Sequence, residues 1–198
     1  MNILRVRMPE GGVFEVRGST AFPTGARIIV KMDYGLDEAI VLACAEARAD
    51  EPLPGFTAMR AFDALDAKTL AENASLAAAV LQRYSALAQD AYADFKAVYH
   101  RLSFGRNRLF LRYVSRTAKP NLSQIAATVK RLFDVDVQAW HASSREEVAL
   151  CGAAGPCGRV CCCASFLKTL PPPCAVPAAE NCGICGRRKC CLSFEIGE

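Results

Sequence analysis

The chain has 198 residues, 52% of them hydrophobic, and carries 11 cysteines, enough apolar material for one core, or one core with a small metal-organised appendage. It contains no apolar run of about 18 residues, which excludes a hydrophobic membrane-spanning helix. The net charge of +4 hides an asymmetry: residues 1–100 hold 10 basic and 13 acidic side chains, residues 101–198 hold 14 and 7, so the halves sum to −3 and +7.

Met1 to Pro9 alternates Ile3, Leu4, Val6 and Met8 with Arg5 and Arg7. This reads as a half-buried strand and lacks the continuous apolar stretch of a secretory signal, so a cytoplasmic location is expected. After the turn signal Pro9-Glu10-Gly11-Gly12, Val13–Arg17 reads as the hairpin partner. Beyond Pro23 and Gly25, Arg27–Met32 and Ala39–Leu42 read as two more strands around a turn at Asp33-Tyr34-Gly35, and Asp50–Gly55 reads as a connector. Between Asp66 and Tyr92, Leu70, Ala74, Ala77, Leu81, Tyr84, Leu87, Ala88 and Ala91 recur at three- and four-residue steps. In an alanine-rich background that spacing predicts a long amphipathic helix. Val98, His100, Leu102 and Phe104 then fall on alternate positions, so a strand is expected from Lys96 onward, although Phe95, Val98, Tyr99 and Leu102 would also extend the helical stripe. Gly105-Arg106-Asn107 reads as a turn into a strand over Leu109–Val114. Asn121, three before Gln124, is placed to cap a helix through Ile125, Val129, Leu132 and Phe133, and Val135, Val137 and Ala139 alternate as a last strand.

These elements predict an α+β fold, a mixed sheet with two main helices against one face, followed by a cysteine-rich C-terminal segment that binds a metal or cluster. The expected organisation is a β-rich lobe over 1–50, an α/β lobe over 60–150 with the long helix and a basic strand-helix-strand, and the cysteine-rich segment over 151–198. From Arg101 to Phe133 there are eight basic residues (Arg101, Arg106, Arg108, Arg112, Arg116, Lys119, Lys130, Arg131) and no acidic one. The run reads as a solvated sheet face, the alternative being a surface for phosphates, whose condensed counterions Arg and Lys displace.

Ten of the eleven cysteines lie between Cys151 and Cys191, and only Cys44 stands apart. Within that stretch the pattern CGRxxCC occurs twice, at Cys157-Gly158-Arg159-Val160-Cys161-Cys162-Cys163 and, 28 positions later, at Cys185-Gly186-Arg187-Arg188-Lys189-Cys190-Cys191. Each copy runs on into a Ser-Phe pair, Ser165-Phe166 and Ser193-Phe194. This is a duplicated thiolate-presenting unit. In a reducing compartment such a cluster marks metal binding or catalysis more often than structural disulfides, and a disulfide framework would spread its bridges along the chain. Iron and zinc both accept thiolates: Cys157, Cys182, Cys185 and Cys190 form one conceivable zinc set, and Cys182-Gly183-Ile184-Cys185 alone is a good zinc knuckle. Vicinal pairs such as Cys162-Cys163 and Cys190-Cys191 are hard to direct onto a single ion and suit a larger cluster, a second cluster, or a core contact. Arg159 and Arg187, with Arg188 and Lys189, offset the thiolate charge and lower the thiol pKa.

The run Phe104-Gly105-Arg106-Asn107-Arg108, the helix and strand after it, Arg145-Glu146-Glu147, Gly155-Pro156 and the two cysteine motifs resemble, in order and spacing, the RicT (YaaT) family of bacterial cytosolic proteins with a polymerase-suppressor-type C-terminal domain. The resemblance runs from the first strand to Phe194. It implies a regulatory subunit that assembles with two small helical proteins of the RicA and RicF type (YmcA and YlbF) into a complex carrying four-iron four-sulfur clusters. It further implies action on messenger RNA maturation by ribonuclease Y, and so on sporulation, competence and biofilm formation. By matching position, Cys157, Cys162, Cys163, Cys185, Cys190 and Cys191 are the implied cluster ligands, shared with partner subunits; Cys151, Cys161, Cys174 and Cys182 fall outside the shared pattern. The chain departs from the family at Pro171-Pro172-Pro173, where a basic amphipathic segment is usual, and at Ala39, where a second glycine is common after Gly35 while Asp37 is kept.

An enzyme is not expected. His100 and His141 sit in strand-like stretches without a Ser or Asp partner motif, and no GxxxxGK or GxGxxG loop occurs. Trp140 reads as a packing residue at the domain edge. Cys182 to Cys185 follows a proline-rich connector, unlike a thioredoxin motif, which follows a strand and opens a helix. The competing reading is a zinc-stabilised RNA-binding module that uses the Arg101–Arg131 stretch.

Overall fold

The computed structural model describes residues 1–48, 52–115, 120–143, 146–147 and 150. The cysteine-rich segment and every thiol in it, from Cys151 to Cys191, therefore lie outside the described residues, as do Arg116 and Lys119. The described part is α+β, with the strands divided between two sheets.

Five strands, β1 (Asn2–Arg7), β2 (Val13–Gly18), β3 (Arg27–Met32), β4 (Gly35–Glu46) and β5 (Phe56–Ala61), close into a barrel in the order β1-β2-β5-β3-β4. Alternate residues fill it: Leu4, Val6 and Met8 from the first strand and its end, Val16, then Ile28, Val30 and Met32, with Ala39, Val41 and Ala58 where the wall is tight. Closure removes the unpaired edges that an open sheet leaves to the solvent. β5 supplies it, pairing parallel to β2 and antiparallel to β3. The β3–β4 hairpin turns through Asp33 and Tyr34, and Gly35 follows at φ +117, a conformation open to glycine at little cost.

The second unit is a three-stranded sheet in the order β6 (Lys96–Leu102), β7 (Arg108–Val114), β8 (Asp136–His141), flanked by α1 (Ala64–Ala91) and α2 (Ser123–Phe133). The strand expected from Lys96 is present, with a register shift between Ala97 and Tyr99. Because side chains alternate along a strand, Leu109, Leu111 and Tyr113 of β7 face the helices, where they meet Ala77, Val80, Tyr84, Ala88 and Val129. Phe95 sits among them, stacked on Tyr113 at 5.2 Å between ring centroids.

α1 starts two residues before the expected Asp66. Asp63 is its N-cap and accepts from the Asp66 amide at 3.0 Å, while the Asp66 carboxylate accepts from the Asp63 amide at 2.9 Å, a reciprocal capping box. Arg60 at the end of β5 grips the same carboxylate through both terminal nitrogens at 2.5 and 2.7 Å. Asn121 caps differently from expectation: Leu122 is the N-cap of α2 and gives no side-chain bond, and Asn121 Oδ1 instead accepts from the Ser123 hydroxyl and amide. Asp134 ends that helix in the left-handed region, which Asp tolerates better than most residues.

The Tyr84 hydroxyl is buried and has no hydrogen-bond partner among the described residues. An orphaned buried donor costs about 1–3 kcal/mol, so Tyr84→Phe is expected to raise stability by about 1 kcal/mol in urea denaturation; destabilisation would show that the hydroxyl is satisfied. The Arg60 hydrogen bonds hold the Asp66 carboxyl below its ordinary pKa against the opposing effect of burial. A carboxylate depressed in this way stabilises the fold above its unfolded pKa, near 4, and loses that contribution as pH falls through the lower folded value. Denaturation measured at a series of acidic pH values should accordingly show a smaller loss of stability for Asp66→Asn than for the wild type.

Candidate functional site at the joint between barrel and sheet

The barrel and the sheet meet at a buried carboxylate. On β4, Asp37, Ala39 and Val41 share one parity and point inward, and Asp37 is fully buried. A bare carboxylate there would be very costly, so its oxygens must be saturated. Arg101 of β6 approaches with its fork, Nη1 to Oδ1 at 2.9 Å and Nη2 to Oδ2 at 2.8 Å. Tyr34 donates its hydroxyl to Oδ2 at 2.9 Å, and the amides of Glu38 and Phe104 donate to Oδ1 at 2.9 and 3.2 Å. Glu10, from the β1–β2 turn, takes a second pair of donors on Arg101. Burial works against the charge of Arg101, but the hydrogen bonds of Asp37 and Glu10 outweigh it and raise its pKa above the usual arginine value. The Tyr34 hydroxyl is likewise pushed up, first by burial and then by the negative charge of Asp37.

Beside this pair lies the loop Phe104-Gly105-Arg106-Asn107. Gly105 donates to the Leu36 carbonyl at 2.8 Å, and Asn107 lies so close to Gly35 that a Cβ there would meet Asn107 Oδ1 at 2.8 Å. Ser103, fully buried, accepts from the Asn107 and Arg108 amides through its hydroxyl. Asn73 of α1, also buried, donates to the Ser103 and Phe104 carbonyls and accepts from Arg106 Nε at 2.6 Å. Arg106 itself is held at φ +62, left-handed backbone uncommon for such a residue. Four separate stretches, around Glu10, Asp37, Asn73 and Arg101–Arg108, thus converge on one joint. The Gly35–Asp37 segment and the Phe104–Arg108 run, both singled out in the sequence, are in direct contact there.

On the face of β7 and β8 away from the helices, a cleft of about 400 Å³ opens between sheet and barrel. Its sheet side carries Arg108, Phe110 and Arg112 of β7 with Gln138 and Trp140 of β8; its barrel side carries Phe14, Phe56, Met8 and Met32. Phe110 and Trp140 lie parallel, 6.0 Å between centroids and 4° between planes, and Tyr34 meets Phe110 edge-on at 5.4 Å. Each ring has a guanidinium over it: Arg108 on Tyr34 at 4.6 Å, Arg101 on Phe110 at 5.0 Å and Arg112 on Trp140 at 5.0 Å. Trp140 therefore belongs to a cleft wall as well as to the packing expected of it.

The basic run is not one solvated face. Arg101 is consumed by the joint, Arg106 reaches Glu72, Lys130 pairs with Asp136 at 2.8 Å, and Arg112 approaches Glu146 at 3.6 Å. The histidines of the sequence reading lie on the strands: His100 on β6, and His141 on β8 with Nε2 3.2 Å from the Ser115 carbonyl. Among the described residues no group of three or more His, Cys, Asp or Glu side chains is placed to hold a metal, and Cys44 sits half-buried on β4. The cluster and zinc candidates Cys157, Cys162, Cys163, Cys182, Cys185, Cys190 and Cys191 all lie outside the described residues. No helix among the described residues is long and apolar enough to cross a membrane. The joint itself was missed by sequence reasoning, though a signal was present: Asp37 has the parity of the buried Ala39 and Val41.

Among proteins of known role, the chain is 27% identical over 79 residues to "Stage 0 sporulation protein YaaT" of Bacillus subtilis (strain 168). That match takes in 40% of this chain and 28% of the relative, and marks a distant relationship to YaaT. No family model and no solved structure matches the chain.

Removing one partner of a buried ion pair costs about 3–5 kcal/mol, because the other charge is left stranded. Asp37→Ala should therefore destabilise the chain by about that amount, whereas adding Arg101→Met to Asp37→Leu should cost well under the sum of the two single changes. A double-mutant cycle in urea checks this, and additive single effects would mean that the pair is not coupled.

Proposed function

We propose that this protein is a non-enzymatic regulatory subunit, a cytoplasmic scaffold in an iron-sulfur-containing complex that modulates messenger RNA processing by ribonuclease Y and the developmental programmes that depend on it. The observation that carries the reading is the doubled CGRxxCC motif, whose two copies place a glycine, an arginine and two vicinal thiols in the same order. The distant relationship to a sporulation protein supports a regulatory role in development. The resemblance to the RicT family supplies the finer terms: a four-iron four-sulfur cluster, ligands shared with small helical partners of the RicA and RicF type, and ribonuclease Y as the enzyme acted upon.

In this reading the barrel and sheet form a rigid platform that carries the cysteine-rich arms. Cys157, Cys162, Cys163, Cys185, Cys190 and Cys191 are the ligands, with Cys182 available to a zinc ion in the alternative assignment. Arg159 and Arg187 keep the thiols ionised by offsetting their charge. Ligands divided between subunits tie assembly to the state of the sulfurs.

Chain isolated without oxygen, together with its two helical partners, should be brown and contain iron and inorganic sulfide. Cys157→Ser or Cys185→Ser should remove most of that iron. Preparations that hold zinc, release it to a chelator and contain no iron or sulfide would overturn the assignment in favour of a structural zinc site.

A further inference from the structure

We propose that the cleft between the sheet and the barrel is a binding site for single-stranded nucleic acid, with bases stacking against the partly exposed Tyr34 and Trp140 and the backbone phosphates held by Arg108 and Arg112. The inference does not depend on the cysteine motifs. It rests on described residues alone.

Three features of the cleft point to this ligand. The first is the interleaving of arginines with flat rings on a sheet face. Single strands are bound without duplex geometry by aromatic platforms for the bases and cations along the backbone, and here both kinds of group come from one strand pair and one hairpin turn. The second is charge. Arg108 makes no ion pair among the described residues, its partners being the Tyr34 ring and the Gln138 side-chain oxygen at 3.3 Å, while Arg112 has a carboxylate only at 3.6 Å. Of the two acidic groups that line the cleft, Glu10 is engaged by Arg101, and Asp33, on the barrel side, accepts from the Tyr34 amide, a neutral donor that leaves its charge in place. Two like charges two residues apart on one face repel across about 6.6 Å, and an anionic chain passing over them relieves that repulsion. The third is what the arginines lie on: the guanidinium carbons of Arg108 and Arg112 stand 4.6 and 5.0 Å from the centroids of Tyr34 and Trp140, which holds both cations beside the rings at the cleft wall.

A peptide is the competing occupant, since aromatic grooves also take polyproline segments. Arg108, which makes no ion pair among the described residues, favours the polyanion.

The test uses the full-length chain and a fluorescein-labelled single-stranded RNA of about ten nucleotides, within the usual range of site sizes. Binding is followed by anisotropy and by the emission of Trp140, the one tryptophan in the chain. Saturable binding with quenching of Trp140 is expected, together with at least about tenfold weaker affinity for Arg108→Gln and a salt slope shallower by about 0.7 for that lost contact. Arg112→Lys, which keeps the charge and loses the plane, should bind between wild type and Arg112→Gln, and thermal melting identifies any variant that is misfolded. A DNA oligomer of the same sequence distinguishes the two sources of single strand; binding of either supports the site. Absence of binding, equal affinity for duplex RNA, arginine variants that fold and bind like wild type, or a proline-rich peptide that binds where the oligomers do not would each overturn the proposal.

Discussion

The Asp37 carboxylate is the constraint around which the described part of the molecule is arranged. Withdrawn fully from water, it needs every lone pair occupied, and the donors it collects come from both units: Tyr34 and the Glu38 amide from the barrel, the Arg101 fork and the Phe104 amide from the sheet. A hydrophobic contact at this place would tolerate sliding between barrel and sheet. A bidentate pair with three further donors does not, because each requires its own direction. The contribution of such a pair is better described as uniqueness of arrangement than as net stability, since apolar side chains of the same volume often pack at least as well.

That fixed arrangement has consequences on both sides of the joint. It seats the Phe104–Asn107 loop on Gly35 and Leu36, where Asn73 and Ser103 satisfy its backbone and Arg106 is held in an uncommon conformation by its bond to Asn73. It also sets the separation of the barrel from the outer face of β7 and β8, and so the width of the cleft. Tyr34 couples the two directly, with its hydroxyl on Asp37 and its ring under Arg108.

Most of the elements were legible because their patterns are clean: alternation in β1, short apolar runs bounded by turn residues in β3 and β7, and three- and four-residue steps in α1. β5 was not, since only Ala58 of Phe56–Ala61 is buried and Met59 is half exposed, leaving no apolar alternation to find. The closure of the first lobe into a barrel was hidden with it, because it depends on that strand pairing parallel to β2. The start of α1 was misplaced by two residues because the apolar steps that mark the helix begin only at Leu70, whereas its first turn is set by the capping box of Asp63 and Asp66. Asn121 misled in a related way, spending its side chain on Ser123 one position too early to cap the helix. At the joint, the parity of Asp37 was readable, but the identity of its partner, 64 positions away on another sheet, was not.

The fate of the basic run shows why a count of charges is a poor guide to a polyanion surface. Of its eight members six are described, and four of these, Arg101, Arg106, Arg112 and Lys130, have a carboxylate within 4 Å. Those pairings differ in kind: the Arg101 pair is buried and structural, whereas the Arg106 and Lys130 pairs are exposed, and surface pairs of that sort contribute little and break readily. Compensation on this scale lowers the nonspecific attraction that a bare cationic face would exert, because fewer counterions are there to be released. Any polyanion recognised by this region must therefore gain its affinity from shape and stacking, which places the weight on Tyr34 and Trp140 and leaves Arg108, without a carboxylate partner among the described residues, as the charge that sets the direction of approach.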